Sequence, residues 1–303
     1  MKNAPMTEAP SVFPMVGVPL WARAGLAALC LWASASGCGP EESLSEPQLL
    51  DSQSQELSSG NGLSANGLSA NGLSYNGLSY NGLSANGLSA NGLSTADFTQ
   101  WFTQNRAHAD MVMTYVVRCA VPVGQSRSYT DSQTGKTYTW VGELGLAPDW
   151  ANGHPASYNE QQIITACLLA HVNRYGKHVT ISVLGLDAWG REIPVTCSER
   201  ATYTVHEACF FGNLFVPNSL FFGSDQPVNN EGEYLTRACG ALGAGGGSQG
   251  QCAPLRFVGQ CSQVCIPAAG GRFYGSCTYQ GVGYRPITTR MTPADYNQLF
   301  PGP

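Results

Sequence analysis

"SYNEQQIITACLLAHVNRYGKHVTISVLG", Ser157 to Gly185, sets a helix directly before a strand. Ser157 followed three residues later by Glu160 is a capping-box pattern, in which each side chain bonds the other's backbone N–H. Ile163, Ile164, Cys167, Leu168, His171, Val172 and Tyr175 then form one apolar helical face, and Gly176 suits the position just past a helix end. From Val179 the period drops to two. Val179, Ile181 and Val183 alternate with polar neighbours, the pattern of a half-buried strand.

The flanking sequence extends this mixture. "STADFTQWFTQN" offers Ser94 or Thr95 as a cap, with Phe98, Trp101 and Phe102 on one face. "HADMVMTYVVRC" predicts a second helix ending near Cys119, and "SRSYTDSQTGKTYTW" a hairpin around Asp131–Gly135. "ATYTVHE" and "GYRPITTRM" are further candidate strands. From about residue 222 the chain is rich in Gly and Cys. It is expected to bury little apolar area and to depend on disulfides, each typically worth about 2–4 kcal/mol. Helices, a hairpin, a helix, strands and a cysteine-rich part make α+β the expected class, one domain over residues 95–303.

Ahead of it, Asn61 to Ser94 is seven copies of a five-residue unit, NGLSA or NGLSY in most, with Leu63, Leu68, Leu73, Leu78, Leu83, Leu88 and Leu93 in register. A five-residue period puts successive leucines about 140° apart on a helix and on alternating faces of a strand, so neither gains an apolar stripe. The array loosely resembles pentapeptide repeats, which implies a square β-solenoid with those leucines inward. Asn stands where that family has a small residue, and a Gly/Ser/Asn-rich tether is the expectation. As a coil, residues 39–95 would span roughly 40 Å.

The N-terminus predicts export. "RAGLAALCLWASASGC" is a basic residue, an apolar run shorter than the ~20 residues of a membrane span, and small residues ending at Cys38. Ala35-Ser36-Gly37-Cys38 resembles a bacterial lipobox. Residues 1–37 are thus expected to be a signal peptide, with Met15 as an alternative start. Cys38 becomes the lipidated first residue, and residues 38–60 an acidic disordered tail. The expected location is the outer membrane or cell surface, with the membrane as a partner through the lipid.

Nine cysteines remain: Cys119, Cys167, Cys197, Cys209, Cys239, Cys252, Cys261, Cys265 and Cys277. Outside the cytoplasm these are disulfide candidates, with one left over. The net charge is −5, and no Lys/Arg cluster suited to phosphate stands out, which argues against nucleic acid.

"YVVRCAVPVGQS", "GELGLAPDW", "QQIITACLLAHVNRYGKHVTISVLG" and "EACFFGNLF" together resemble a group of uncharacterised predicted surface lipoproteins of myxobacteria, over residues 98–277. The resemblance implies a location and a shared fold, and brings no catalytic residue. Cysteines near Cys119, Cys167, Cys239, Cys252, Cys261, Cys265 and Cys277 are usual in that group; Cys197 and Cys209 are less so. Cys197–Cys209 and Cys119–Cys167 are the expected bridges.

No catalytic motif of the zinc-protease, nucleophile-elbow, P-loop or dinucleotide type is present. No catalytic residue, metal or cofactor is expected. His171 four residues after Cys167 is read as a core histidine beside a disulfide rather than a dyad. His206 and Glu207, adjacent on a strand, should face opposite ways. Cys252, Cys261, Cys265 and Cys277 could hold zinc, though two disulfides fit an oxidising compartment better. Asp225, Asn229, Asn230, Glu231 and Glu233 are read as a solvated loop rather than a calcium site. Trp140, Trp150, Trp189 and Tyr158 could stack on sugar rings or fill a core. A surface-binding or structural domain, for glycan or protein, is the expected function, and a secreted hydrolase the alternative. An exposed aromatic patch would favour the first, and a histidine meeting a carboxylate the second.

Overall fold

The computed structural model describes residues 58–61, 87–172, 179–226, 251–252 and 255–299. The expected signal peptide, Cys38, the repeats over residues 62–86, Cys239 and Asn229–Glu233 lie outside them. The side chain of Cys252 is likewise not described.

The end of the pentad array belongs to the folded domain. Leu88, Leu93 and Phe98 keep the five-residue spacing, and all three are buried in the main core. They sit on a turn and two helices, α1 (Ala90–Leu93) and α2 (Ala96–Gln104). Ser89 accepts from Gly92 N–H to cap α1, and Thr95 accepts from Phe98 N–H to cap α2. Gly87 has φ +64°, and an added Cβ would lie 2.5 Å from the Gly153 Cα. Leu88 N–H donates to the Trp150 carbonyl at 2.9 Å. The domain boundary expected at residue 95 therefore moves into the array. Over the last pentads the leucines are neither tether nor β-solenoid, because the domain supplies the apolar partner that the repeat lacks by itself.

Helix α3 (Arg106–Ala120) follows, then the hairpin β2 (Ser126–Thr130) and β3 (Thr137–Val141), turned at Asp131–Gly135 as its sequence predicts. Tyr129, Tyr138 and Trp140 pack on Phe98 and Phe102 in one aromatic cluster. The short α4 (Pro148–Ala151) precedes the central helix α5 (Tyr158–Ala170), whose capping box is present with both bonds made.

Helix α5 departs from the expected amphipathic helix. It ends at Ala170, with His171 as C-cap, not at Tyr175. Its nominally polar face is buried too: Glu160, Gln162 and Thr165 are all nearly inaccessible. Each holds a loop. Glu160 carboxylate oxygens accept from Asp149 N–H, Trp150 N–H, Ser157 N–H and the Ser157 hydroxyl, each at 2.9 Å. Gln162 bonds the Gly283 carbonyl and Arg285 N–H, and the Thr165 hydroxyl accepts from Leu214 N–H at 2.8 Å.

The main sheet is β4 (Val179–Gly185), β5 (Val205–Gly212), β6 (Leu220–Ser224), β8 (Leu255–Gln260) and β12 (Ile287–Met291), flanked by β1 (Ser58–Asn61) and β7 (Gln251–Cys252). Its order is β1-β4-β12-β5-β6-β8-β7, antiparallel except for β6 with β8. The last strand thus lies in the middle, between β4 and β5. Both faces are covered. Ala208 and Phe210 of β5 turn to the main core, while Cys209 and Phe211 enter a second cluster with Phe221, Cys261, Cys265, Cys277 and Tyr284. That second layer is a three-stranded sheet of β9 (Cys265–Pro267), β10 (Tyr274–Tyr279) and β11 (Val282–Tyr284), reached through α7 (Cys261–Val264). The cysteine-rich part expected to bury little is therefore one wall of a core. Strand β4 is buried on both faces rather than half-buried, its Ser182 hydroxyl donating to Glu199 on α6 (Cys197–Thr202). That helix takes the start of "ATYTVHE", so β5 begins only at Val205. Helix α8 (Pro293–Leu299) ends the described chain. Helices and mainly antiparallel strands segregate into layers, which makes the class α+β.

Candidate binding site

Strands β4 and β12 meet the helical layer beside a tight loop, Asp187-Ala188-Trp189-Gly190-Arg191. Gly190 N–H donates to the Asp187 carbonyl at 3.0 Å, and Asp187 N–H to the Arg191 carbonyl at 2.8 Å. Gly190 adopts φ +84°, the left-handed position that a glycine occupies at low cost. The buried Asp187 carboxylate fixes the loop. Oδ1 accepts from Trp189 N–H at 2.9 Å and Arg191 N–H at 2.8 Å, and Oδ2 from Arg191 Nε at 2.6 Å.

At the loop tip the Trp189 side chain is 56% exposed. Its Nε1–H donates to Asp149 Oδ2 at 3.2 Å, and the Arg191 guanidinium lies 4.4 Å from the ring centre. One face is therefore backed by a cation and one edge is held. Asp149 stands on α4, whose backbone Glu160 clamps, so the indole is fixed by a chain reaching the central helix. An immobilised, exposed indole offers a large contact area at little entropic cost, the property used to bind sugar rings or partner side chains.

The four aromatic residues separate cleanly. Trp140 and Trp150 are core, and Trp189 and Tyr158 (53% exposed) are surface. Tyr158 opens α5, two residues before the Glu160 that holds Asp149. What sequence reading missed was the loop that presents Trp189. The signal was there: "LDAWGRE" between two apolar stretches has the Asp and Gly of a hairpin tip.

The remaining candidates fall as follows. Cys119–Cys167 is bonded, tying the end of α3 to α5. His171 Nδ1 lies 2.7 Å from the Cys167 carbonyl and 3.9 Å from its sulfur, a core histidine beside that bond. Cys209 is joined to Cys261 and not to Cys197, because its side chain faces the C-terminal layer; Cys197 is also disulfide-bonded. Cys265 pairs with Cys277, its direct neighbour across β9 and β10. His206 and Glu207 do part company: Glu207 accepts from the Thr289 hydroxyl at 2.8 Å, while His206 Nδ1 lies 3.7 Å from Asp225 Oδ2. Asp225 also accepts from the Tyr274 hydroxyl at 2.7 Å. Burial first, and that bond second, hold the Tyr274 pKa far above its ordinary value. Sequence spacing hid this contact, since Asp225 reaches His206 only through the pairing of β5 with β6.

A family model described as GLTT repeat matches residues 77–100 in six copies. The match identifies the array as a repeat and reaches into the docked pentads and α2. No curated protein and no solved structure matches the chain.

Proposed function

We propose that this chain is an envelope lipoprotein, anchored through Cys38, whose domain binds a glycan at the cell surface through Trp189. The observation that carries the binding reading is the fixed indole itself: exposed, backed by Arg191 and held by Asp149. The signal-like N-terminus and the resemblance of residues 98–277 to predicted myxobacterial surface lipoproteins support the location. No described helix is long and apolar enough to cross a membrane. The test is depletion of purified protein from solution by insoluble envelope polysaccharide. Native protein should be depleted and Trp189→Ala should stay in solution; equal depletion of the two would remove Trp189 from the reading. Acyl mass on Cys38 in membrane-extracted protein tests the anchor separately.

A secreted hydrolase is the second reading, favoured by the contact of the partly exposed His206 with Asp225. It requires release of reducing ends from the same polysaccharide, lost in His206→Ala.

A further inference from the structure

Two disulfides meet in the second core cluster. The Cys265 sulfur lies 3.7 Å from that of Cys209, at van der Waals contact between two bonds. The sulfurs of Cys209, Cys265 and Cys277 lie within 4.8 Å of one another, a set that does not take in Cys261. The Cys261 sulfur, bonded to Cys209, therefore lies more than 4.8 Å from at least one of the Cys265 and Cys277 sulfurs. A tetrathiolate zinc site would need all four sulfurs at mutual distances of about 3.8 Å. The four sulfurs are instead two bonded pairs in contact through Cys265 and Cys209. That contact puts a Cys265 thiolate within reach of the Cys209 sulfur, which exchange attacks from the side opposite the leaving Cys261 sulfur.

We propose that these four cysteines form an exchange relay, in which reduction entering at Cys265–Cys277 is passed to Cys261. The co-reactant is a dithiol. One of its thiolates attacks the Cys277 sulfur and the Cys265 thiolate leaves. The second thiol of the reductant then attacks its own sulfur in the mixed disulfide, closing the oxidised reductant and releasing the Cys277 thiolate. The Cys265 thiolate attacks the Cys209 sulfur. The Cys209–Cys261 bond breaks, Cys209–Cys265 forms and the Cys261 thiolate leaves. The two protons of the dithiol end on Cys261 and Cys277. The dithiol is oxidised by two electrons, and the protein keeps one of its two bonds.

The surroundings set the direction. Strand β9, which carries Cys265, is an edge of its sheet and its neighbour Ile266 is exposed, so opening of this strand would bring the buried Cys265–Cys277 bond to solvent. The Cys209–Cys261 bond is fully buried against β6. A Cβ on Gly223 would lie 2.9 Å from the Cys209 sulfur and 3.1 Å from that of Cys261. Exchange leaves β5 bonded to β9 and frees β10 from its covalent neighbour. The hairpin that covers one face of the main sheet is thereby re-tied by reduction instead of being released.

The test uses the full oxidised chain and dithiothreitol, added in steps from one equivalent until this cluster first opens. The reaction is quenched in acid, alkylated, digested and mapped by mass spectrometry. The expected first product carries a Cys209–Cys265 cross-link with Cys261 and Cys277 alkylated, at several-fold excess over any other two-thiol form of the cluster. Alkylated Cys265 and Cys277 with Cys209–Cys261 intact would overturn the relay, as would opening of Cys209–Cys261 first or of both bonds together.

Discussion

Replacing Glu160 by Ala should cost more than any surface substitution in this domain. Four donors converge on its carboxylate, three of them backbone N–H groups or their equivalent at the start of α5 and α4. Trp150 N–H is fully buried, so its loss of a partner costs about 1–3 kcal/mol. The Asp149 and Ser157 N–H groups are partly buried and regain some solvation, each costing about 0.5–1.5 kcal/mol. The Ser157 hydroxyl can turn to water. The expected total is about 3–4 kcal/mol, a large share of a domain stability of about 5–15 kcal/mol. At about 2–4 °C per kcal/mol for a domain of this size, the melting temperature should fall by roughly 10 °C. Glu160→Gln keeps one acceptor oxygen and turns an amide toward Ser157 N–H, so about half that fall is expected. The assay is thermal unfolding by circular dichroism with the disulfides intact. A fall of under about 2 °C for Glu160→Ala would refute the clamp, and with it the account of how Asp149 and Trp189 are held.

Gly87→Ala places a Cβ against the Gly153 backbone at positive φ and should lower the unfolding free energy by roughly 2 kcal/mol or more; an unchanged urea midpoint would mean that the last pentads are not docked. Leu88→Ala and Leu93→Ala, both in the main core, should each cost about 2–5 kcal/mol in the same urea titration. Asp131 is held down to about 2, chiefly by the hydrogen bond from Arg106. Its folded pKa lies below its unfolded value near ~3.9, so it stabilises the fold above about pH 4 and that contribution is lost as pH falls towards 2. Acid unfolding should therefore be less steep in Asp131→Asn, and an unchanged acid limb would contradict the pairing. Peptide mapping of the oxidised chain should recover Cys119–Cys167, Cys209–Cys261 and Cys265–Cys277; a Cys197–Cys209 peptide would overturn the packing of β5.

Local patterns carried much of this fold. The capping box at Ser157, the hairpin at Asp131 and the helical faces before Cys119 are short-range features, and they form where their residues predict. What stayed hidden depended on what each element packs against. Glu160, Gln162 and Thr165 read as a wet face because polarity alone does not show that three loops would close over them. Strand β5 reads as "EACFFG" without alternation, since both its faces are covered by layers that are distant in sequence. The pentad leucines gave no stripe on helix or strand, and the burial of Leu88 and Leu93 depended on the α4 loop meeting Gly87. Trp189 was among four aromatic candidates, and only the Asp187 turn separates it from the two that fill the core. The His206–Asp225 contact needed the register of β5 and β6.

The account rests most on Trp189 as the contact residue for a glycan. Its direct test is a titration of the native domain, Trp189→Phe and Trp189→Ala with a panel of soluble hexose and N-acetylhexosamine oligosaccharides, followed by indole fluorescence and calorimetry. The expected result is saturable binding with a change in indole emission, at least about tenfold weaker in Trp189→Ala and partly kept by Trp189→Phe, in line with the roughly 1.4 kcal/mol or more that a stacked aromatic contributes. Equal affinity in Trp189→Ala, or no binding by the native domain across the panel, would contradict it.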